Sequence, residues 1–438
     1  MPVYGARNVD NVRIGVIMVG LPARGKSLIA QKIVRYLSWL SVPTRCFNVG
    51  NYRRKETAHP TAEFFDNSNT VGERLRRNAA EAALKDMIRW FEEDDGVVGV
   101  FDATNSTVER RKWIADTLLD AGVEPMFVES WCDDPAIVMH NIIDVKTTSP
   151  DYVGTDPEKA ITDFQNRIKK YEAVYETLGE NETDLTYVKL MNVGAQVVIN
   201  RIQSYLESRV VYYIMNLHIK PRYIWLSRHG ESEYNLGGQL GGDSNLSERG
   251  QMYAKKLPSL LQGALEQSVF PDGKVPELTV WTSTLKRTNQ TARFLDYPKR
   301  SWKALDELDA GVCDGMTYEE IEEQYPEDFK ARDDNKYEYR YRGGESYRDI
   351  VIRLEPIIME LERQENIMIV THQAVLRCLY AYFMNVPQDQ SPWMQVPLHS
   401  LIRLELRAFD TIETRISADI PAVSTHREKG SSAKHEGA

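Results

Sequence analysis

The chain has 438 residues, 42% of them hydrophobic and 27% charged, which is ordinary globular usage and allows two or three domains. Its formal net charge of −10 argues against general attraction to nucleic acid, which needs a basic footprint. No apolar run approaches bilayer length, and the opening residues, which lack a basic segment followed by a long apolar core, are not expected to act as a secretion signal, while Cys46, Cys132, Cys313 and Cys378 form no C-x-x-C pair, so reduced thiols in a cytoplasmic protein are expected rather than a disulfide frame or zinc site.

From Val12, VRIGVIMVG reads as a buried parallel strand and SLIAQKIVRYLSWL as the helix after it. TRCFNVG, GVVGVFDAT and EPMFVES are expected strands, alternating with helices over 73–92 and 109–121. Such alternation predicts a mainly parallel sheet flanked by helices. Residues 147–184 read as polar and helical, TYVKLMNV as a further strand, and QVVINRIQSYLESRVVYYIMNL as one helix. HIKPRYIWLS restarts the pattern, giving a first α/β domain over 1–221 and a second over 222–420. In the second, strands YIWLSRHG, LTVWTSTL and NIMIVTH alternate with helices after Leu246, after Lys286 and over 346–364. The polar segment 421–438 reads as a disordered tail.

The stretch GLPARGKS, comprising Gly20, Leu21, Pro22, Ala23, Arg24, Gly25, Lys26 and Ser27, matches G-x-x-x-x-G-K-[ST] between a strand and a helix. Backbone N–H groups and a helix N-terminus there suit the phosphates of ATP. Lys26 would reach the β and γ phosphates, and Ser27, with Asp102 at the end of a later strand, would hold Mg2+; the plainer reading of Asp102 is a helix cap. Around this loop lie Arg53, Arg54, Arg76, Arg77, Arg110, Arg111, Lys146 and Arg167. Each alone reads as a solvated helix face, and together they suit a phosphorylated acceptor.

In the second half an apolar strand ends on Arg228, His229, Gly230 and Glu231. Phosphoryl transfer to an imidazole needs an unprotonated ring nitrogen among fixed positive charges. Arg287 at the start of a later helix and His372 at the end of another strand supply further grips on a phosphate. An arginine buried beside His229 would have no purpose without an anion, whereas His399 in VPLHSLIRL reads as a satisfied core residue.

RHGES, LSERG and THQ resemble the motifs of the histidine phosphatase, or phosphoglycerate-mutase-like, superfamily. With FNVGNYRR, VFDATN, SPDY, GGDSNLSERG, WKALDELDAGVCDGMTYEEI and YRYRGGESY, nearly the whole chain resembles the 6-phosphofructo-2-kinase/fructose-2,6-bisphosphatase family, in wording nearest to fungal members. The resemblance implies that ATP lies on Gly20 to Ser27 with Cys132, Asn141 and Lys146 close by, and that Lys146 also steadies the transferring phosphoryl group. It implies that fructose 6-phosphate is held by Arg53, Arg76, Thr104, Arg110, Lys146, Arg167 and Tyr171. In the other half it implies attack by His229 on the 2-phosphate, with Glu307 as general acid and no cofactor. Arg228, Asn235, Arg287 and His372 would hold the reacting phosphate, and Tyr318, Arg332, Lys336, Tyr347, Gln373 and Arg377 the sugar and its 6-phosphate.

The partners so implied are small molecules and a second copy in a homodimer, with neither nucleic acid nor membrane. Val108 departs from a position often basic in the family, which leaves a second reading, a fructose-2,6-bisphosphatase whose kinase half is weak or regulatory. A third, a metabolite sensor with two degenerate sites, is opposed by Lys26, His229 and Glu307.

Overall fold

The computed structural model describes residues 12–57, 60–148, 150–152, 154–217, 222–270, 273–407 and 410–430, without the side chains of 144–148 and Glu180. The chain divides into two compact units, 1–217 and 218–438. The boundary expected beside Pro221 falls outside the described residues.

In the first unit the chain runs β1 (Ile14–Val19), α1 (Lys26–Trp39), β2 (Thr44–Asn48), α2 (Val49–Glu56), α3 (Thr70–Glu93), β3 (Val98–Asp102), α4 (Val108–Asp120) and β4 (Glu124–Trp131). It continues through α5 (Pro135–Thr148), α6 (Pro157–Glu172), β5 (Thr186–Met191), β6 (Gln196–Asn200) and α7 (Tyr205–Met215). The sheet order is β2-β3-β1-β4-β5-β6, with every pair parallel except the last. Strand β1 is buried along its whole length because helices cover both faces, and Met87, Phe91 and Leu118 pack against the sheet residues Ile17, Phe101 and Phe127. Its neighbours β3 and β4 lie on opposite sides, so the loop after β1 opens at a switch point of the sheet, where such folds bind ligands.

The single helix expected from Gln196 is not found. Gln196–Asn200 pairs antiparallel with β5, Tyr187 facing Asn200, and the helix begins only at Tyr205. Val197, Val198 and Ile199 are β-branched and suit a pleated edge, while Asn192, Val193 and Gly194 take positive φ in the hairpin turn. A capping box between Ser204 and Glu207 then starts the helix.

The second unit contains β7 (Arg222–Arg228), α8 (Glu233–Leu236), α9 (Glu248–Glu266), β8 (Thr279–Thr282), α10 (Lys286–Ala292), β9 (Lys299–Ser301), α11 (Tyr318–Gln324) and α12 (Pro326–Asp334). After these come α13 (Tyr347–Arg363), β10 (Asn366–Thr371), α14 (Gln373–Met384), β11 (Ser400–Leu406) and β12 (Thr411–Ser417). Its sheet order is β12-β11-β7-β10-β8-β9. The four strands from β7 to β9 are parallel, and β11 and β12 add an antiparallel edge.

Residues 421–430 correct the expectation of a disordered tail. The Val423 N–H donates to Glu231 Oε2 at 2.9 Å, Arg228 Nη1 to Thr425 Oγ1 at 2.8 Å and Arg427 Nη2 to Asp333 Oδ2 at 3.0 Å. Polarity misleads here because the segment is anchored by hydrogen bonds rather than apolar burial; residues 431–438 lie outside the described ones. Among the described residues no helix is long and apolar enough to cross a membrane.

Candidate active sites

In the first unit β1 ends on Val19, and Gly20 turns the chain with φ +135°. A Cβ there would meet the Ser130 carbonyl oxygen at 2.4 Å, so only glycine lets the loop pass β4. Lys26 opens α1 and lies buried, its Nζ donating to Leu21 O at 2.7 Å. Burial lowers its pKa to about 8, with the Asp102 carboxylate opposing that shift. Asn141 Nδ2 donates to Ala23 O at 2.9 Å and Arg24 Nε to Cys132 O at 2.9 Å, so two of the three residues expected beside ATP touch the loop. Asp102 ends β3, buried, directly across from Asn48 at the end of β2, whose side chain donates to Asp102 Oδ2 at 2.5 Å.

The expected arginine cluster separates into distinct roles. Arg53, Arg54 and Arg167 all donate to Asp151, at 2.5, 3.2 and 3.1 Å, and Arg167 lies 3.8 Å over the Phe65 ring. Arg53 Nη1 and Arg167 Nε are buried with no hydrogen-bond partner among the described residues. Arg110 is held by Asn105 Oδ1 at 3.1 Å, and Asn105 in turn donates to Met18 O at 2.8 Å. Arg76 donates to Phe64 O, Tyr171 contacts the Phe65 ring, and the carbonyl of Thr104 accepts the Gly20 N–H.

Two members stand apart. Arg111 is fully buried in a two-pronged pair with Glu182 at 2.8 and 2.6 Å, and Arg77 pairs with Glu81 on an exposed turn. The side chain of Lys146 lies outside the described residues. Sequence reasoning missed Asn48, Asn105 and Asp151; a short amide or carboxylate at a strand end or in a basic neighbourhood was the available signal.

In the second unit, parallel pairing sets Arg228 across from Thr371, so His229 and His372 follow the ends of adjacent strands. Their ring centroids are 5.2 Å apart. His229 Nδ1 lies 2.7 Å from Gly230 O; a carbonyl only accepts, so Nδ1 carries the proton and Nε2 keeps its lone pair. Burial first, then Arg287 and Arg228, hold the imidazole well below its usual pKa, which preserves that lone pair. Arg228 is buried, its Nε without a hydrogen-bond partner among the described residues, and burial lowers its pKa to about 9. Its Nη1 donates to Thr425 Oγ1 at 2.8 Å.

The close crossing of RHGE and LSERG explains both motifs. A Cβ on Gly250 would lie 2.1 Å from Glu231 O, so the first turn of α9 can touch the loop only as glycine. Buried Glu231 then takes Ser247 Oγ at 2.7 Å and Arg249 Nε at 2.9 Å, while its N–H donates to His399 Nε2 at 2.9 Å. His399 is thus the satisfied core residue expected.

Glu307 accepts the N–H groups of Gln373 at 3.0 Å, Ala374 at 3.1 Å and Leu308 at 3.0 Å. Arg353 grips the carbonyls of Asp306 at 2.8 Å and Glu307 at 3.3 Å. These bonds fix the carboxylate at the start of α14. A cavity of about 680 Å³ gathers Arg228, His229, Asn235, Arg287 and Glu307 with Tyr318, Arg332, Lys336, Tyr347, Gln373 and Arg377. Asn235 Oδ1 accepts the Ser232 N–H at 3.0 Å, which orients the amide. Arg332 reaches the hydroxyls of Tyr341 at 3.0 Å and Tyr318 at 2.7 Å, and Arg377 that of Tyr347 at 3.0 Å. Lys336 stacks 4.2 Å over Trp393, and burial pushes its pKa well below the usual lysine value. Residues 424–428 complete the wall; sequence reasoning missed them, and the His-Arg pair in an otherwise bland tail was the signal.

Residues 4–221 match the family model described as 6-phosphofructo-2-kinase, and residues 224–416 that of the histidine phosphatase superfamily, branch 1. The fructose-2,6-bisphosphatase of Saccharomyces cerevisiae is 60% identical over 97% of this chain and 93% of that protein. The human 6-phosphofructo-2-kinase/fructose-2,6-bisphosphatase 1 is 49% identical over 94% of this chain and 86% of that one. Among solved structures, a putative alpha-ribazole-5'-P phosphatase from Escherichia coli aligns with 47% of this chain and all 100% of its own, at 23% identity and TM-score 0.40.

Proposed function

We infer both reactions from one premise: the chain belongs to the 6-phosphofructo-2-kinase/fructose-2,6-bisphosphatase family. It is a bifunctional enzyme that makes fructose 2,6-bisphosphate from ATP and fructose 6-phosphate and hydrolyses the same product. The reading of a predominantly fructose-2,6-bisphosphatase enzyme with a weak or regulatory kinase half is not favoured, because the match to the bifunctional relatives runs through both halves.

The single observation that carries the hydrolytic mechanism is the His229 ring, tied through Nδ1 to Gly230 O and set between Arg228 and Arg287. Nε2 attacks the 2-phosphate, the bond to the sugar oxygen breaks, and Glu307 gives that oxygen its proton. Water then attacks the phosphorus, the Nε2–P bond breaks to free inorganic phosphate and return the imidazole lone pair, and Glu307 takes a proton from that water. Asn235 and His372 hold the same phosphate, and Tyr318, Arg332, Lys336, Tyr347, Gln373 and Arg377 hold the sugar and its 6-phosphate. Glu307→Gln is expected to lower the hydrolytic kcat by about 10² to 10³-fold with KM within a few fold, measured by steady-state release of fructose 6-phosphate. A kcat within threefold of wild type would remove Glu307 as the acid.

In the kinase half the chemistry is positioning and charge neutralisation. Arg53, Arg76, Thr104, Arg110, Arg167 and Tyr171 orient the acceptor, whose 2-hydroxyl takes the γ-phosphoryl group, while Lys26 and Lys146 offset the charge. Asp102, a buried carboxylate at a strand end, and Ser27 in the first turn of α1 fit a hard cation, so these two would hold Mg2+. When bound, such an ion would supply neutralisation of the triphosphate charge.

Lys26 adds a pH signature. Its ammonium is present below a pKa of about 8 and lost above it, so ATP affinity of the free enzyme should fall as pH rises through that value. Between pH 8 and 9, ATP binding should draw in a proton, read by calorimetry in buffers of different ionisation enthalpy; no proton uptake would place Lys26 away from the phosphates.

Homodimerisation is supported by the edge strand β6, where Val198 and Ile199 are exposed. A cytoplasmic setting is supported by the four free cysteines.

A further inference from the structure

We propose that Ser283 is a positioning residue of the phosphatase, whose hydroxyl donates to Nε2 of His372 so that a neutral imidazole can present Nδ1–H to the phosphate. The proposal rests on the reading of His372 as a phosphate ligand. Ser283 directly follows β8 and is fully buried. Its Oγ lies 2.7 Å from His372 Nε2 and 2.8 Å from Thr288 Oγ1, and it accepts the Leu285 N–H at 3.2 Å. His372 is itself fully buried, and its Nδ1 has no partner among the described residues. One ring nitrogen is therefore engaged by Ser283 and the other is left for a ligand beside His229.

Phosphate oxygens in this pocket need donors, and a neutral imidazole owns one N–H. His372 can meet the need by carrying two protons or by placing its single proton on Nδ1. Two protons are disfavoured, because the ring is buried and faces Arg287 and Arg228 with His229 beside it. A proton on Nδ1 instead obliges Nε2 to accept. The partners most often found behind a histidine, a carbonyl or a carboxylate, cannot donate and would force the opposite tautomer. A hydroxyl can.

The surroundings of Ser283 permit the required rotation. Thr288 Oγ1 can donate to Ser283 Oγ or to Leu285 O, which lies 2.9 Å away. Leu285 O also receives Asn289 Nδ2 at 2.9 Å, so it is not orphaned when Thr288 turns to Ser283. The chain Thr288 to Ser283 to His372 then ends in an N–H aimed at the phosphate.

The test uses the full chain. Ser283→Ala should lower kcat/KM for hydrolysis and weaken inhibition by inorganic phosphate about 10- to 100-fold, with the circular dichroism spectrum and thermal unfolding of the full chain unchanged as a measure of folding. Ser283→Thr should restore most of the loss. Nitrogen-15 spectra of histidine-labelled enzyme with inorganic phosphate, His372 being identified by its loss in His372→Ala, should show Nδ1 protonated in wild type and the opposite tautomer in Ser283→Ala. Wild type with the proton on Nε2, or Ser283→Ala within twofold of wild type in hydrolysis, overturns the proposal. If His372→Ala itself hydrolyses normally, the reading of His372 falls first; if it is impaired and Ser283→Ala is not, only the role of Ser283 falls.

Discussion

His229→Ala is expected to abolish hydrolysis, by about 10⁴-fold or more, and to leave synthesis near wild type. The nucleophile is not interchangeable with its neighbours: His372 is bonded through Nε2 to Ser283, and His426, which also lines the cavity, lies on the segment 424–428 and not at the end of β7 beside Arg228. Removing a covalent nucleophile forfeits the whole two-step path rather than one contact. The synthetic site lies in the other unit, so the same preparation supplies its own control. Substrate labelled in the 2-phosphate should leave acid-labile label on wild type and none on the variant. Equal labelling of both would move the nucleophile elsewhere.

Lys26→Met should have the complementary effect, lowering synthesis by about 10³-fold, roughly 4 kcal/mol of transition-state stabilisation. Met keeps the buried stem of the side chain and deletes the ammonium, so packing at the start of α1 is preserved. The loss is large because the charge sits in a buried loop where water cannot replace it. Hydrolysis should stay within twofold of wild type. Synthesis within a few fold of wild type would show that this loop does not carry ATP.

The loop after β1 and the strand end at Arg228 were legible because each is a local pattern: an apolar run that stops on glycine, lysine or histidine has few structural explanations. The failures came where partners are distant. Gln196–Asn200 is a strand because β5 lies beside it, and no period within the segment announces that. Residues 421–428 carry little apolar surface, yet Glu231 and Arg228 hold them, so composition read them as tail. Arg111 read singly as a solvated helix face and with its neighbours as part of a basic cluster, and it is spent on buried Glu182; only the fold says which arginines keep an N–H without a partner among the described residues. Ser283 and Asn48 act through His372 and Asp102, and such supporting contacts leave no mark in spacing.

The central claim is that one chain holds two phosphoryl-transfer sites of different chemistry, one built on a P-loop with a carboxylate for Mg2+, the other on histidine and arginine. The most direct test assays both directions on one preparation with and without excess EDTA, following bisphosphate formation from ATP in one tube and fructose 6-phosphate release in the other. Synthesis should stop, because Ser27 and Asp102 have no ion to share with the triphosphate, and hydrolysis should continue at its full rate on His229 and Glu307. Hydrolysis that collapses with synthesis and returns with added magnesium would contradict the account and require a metal-assisted attack by water.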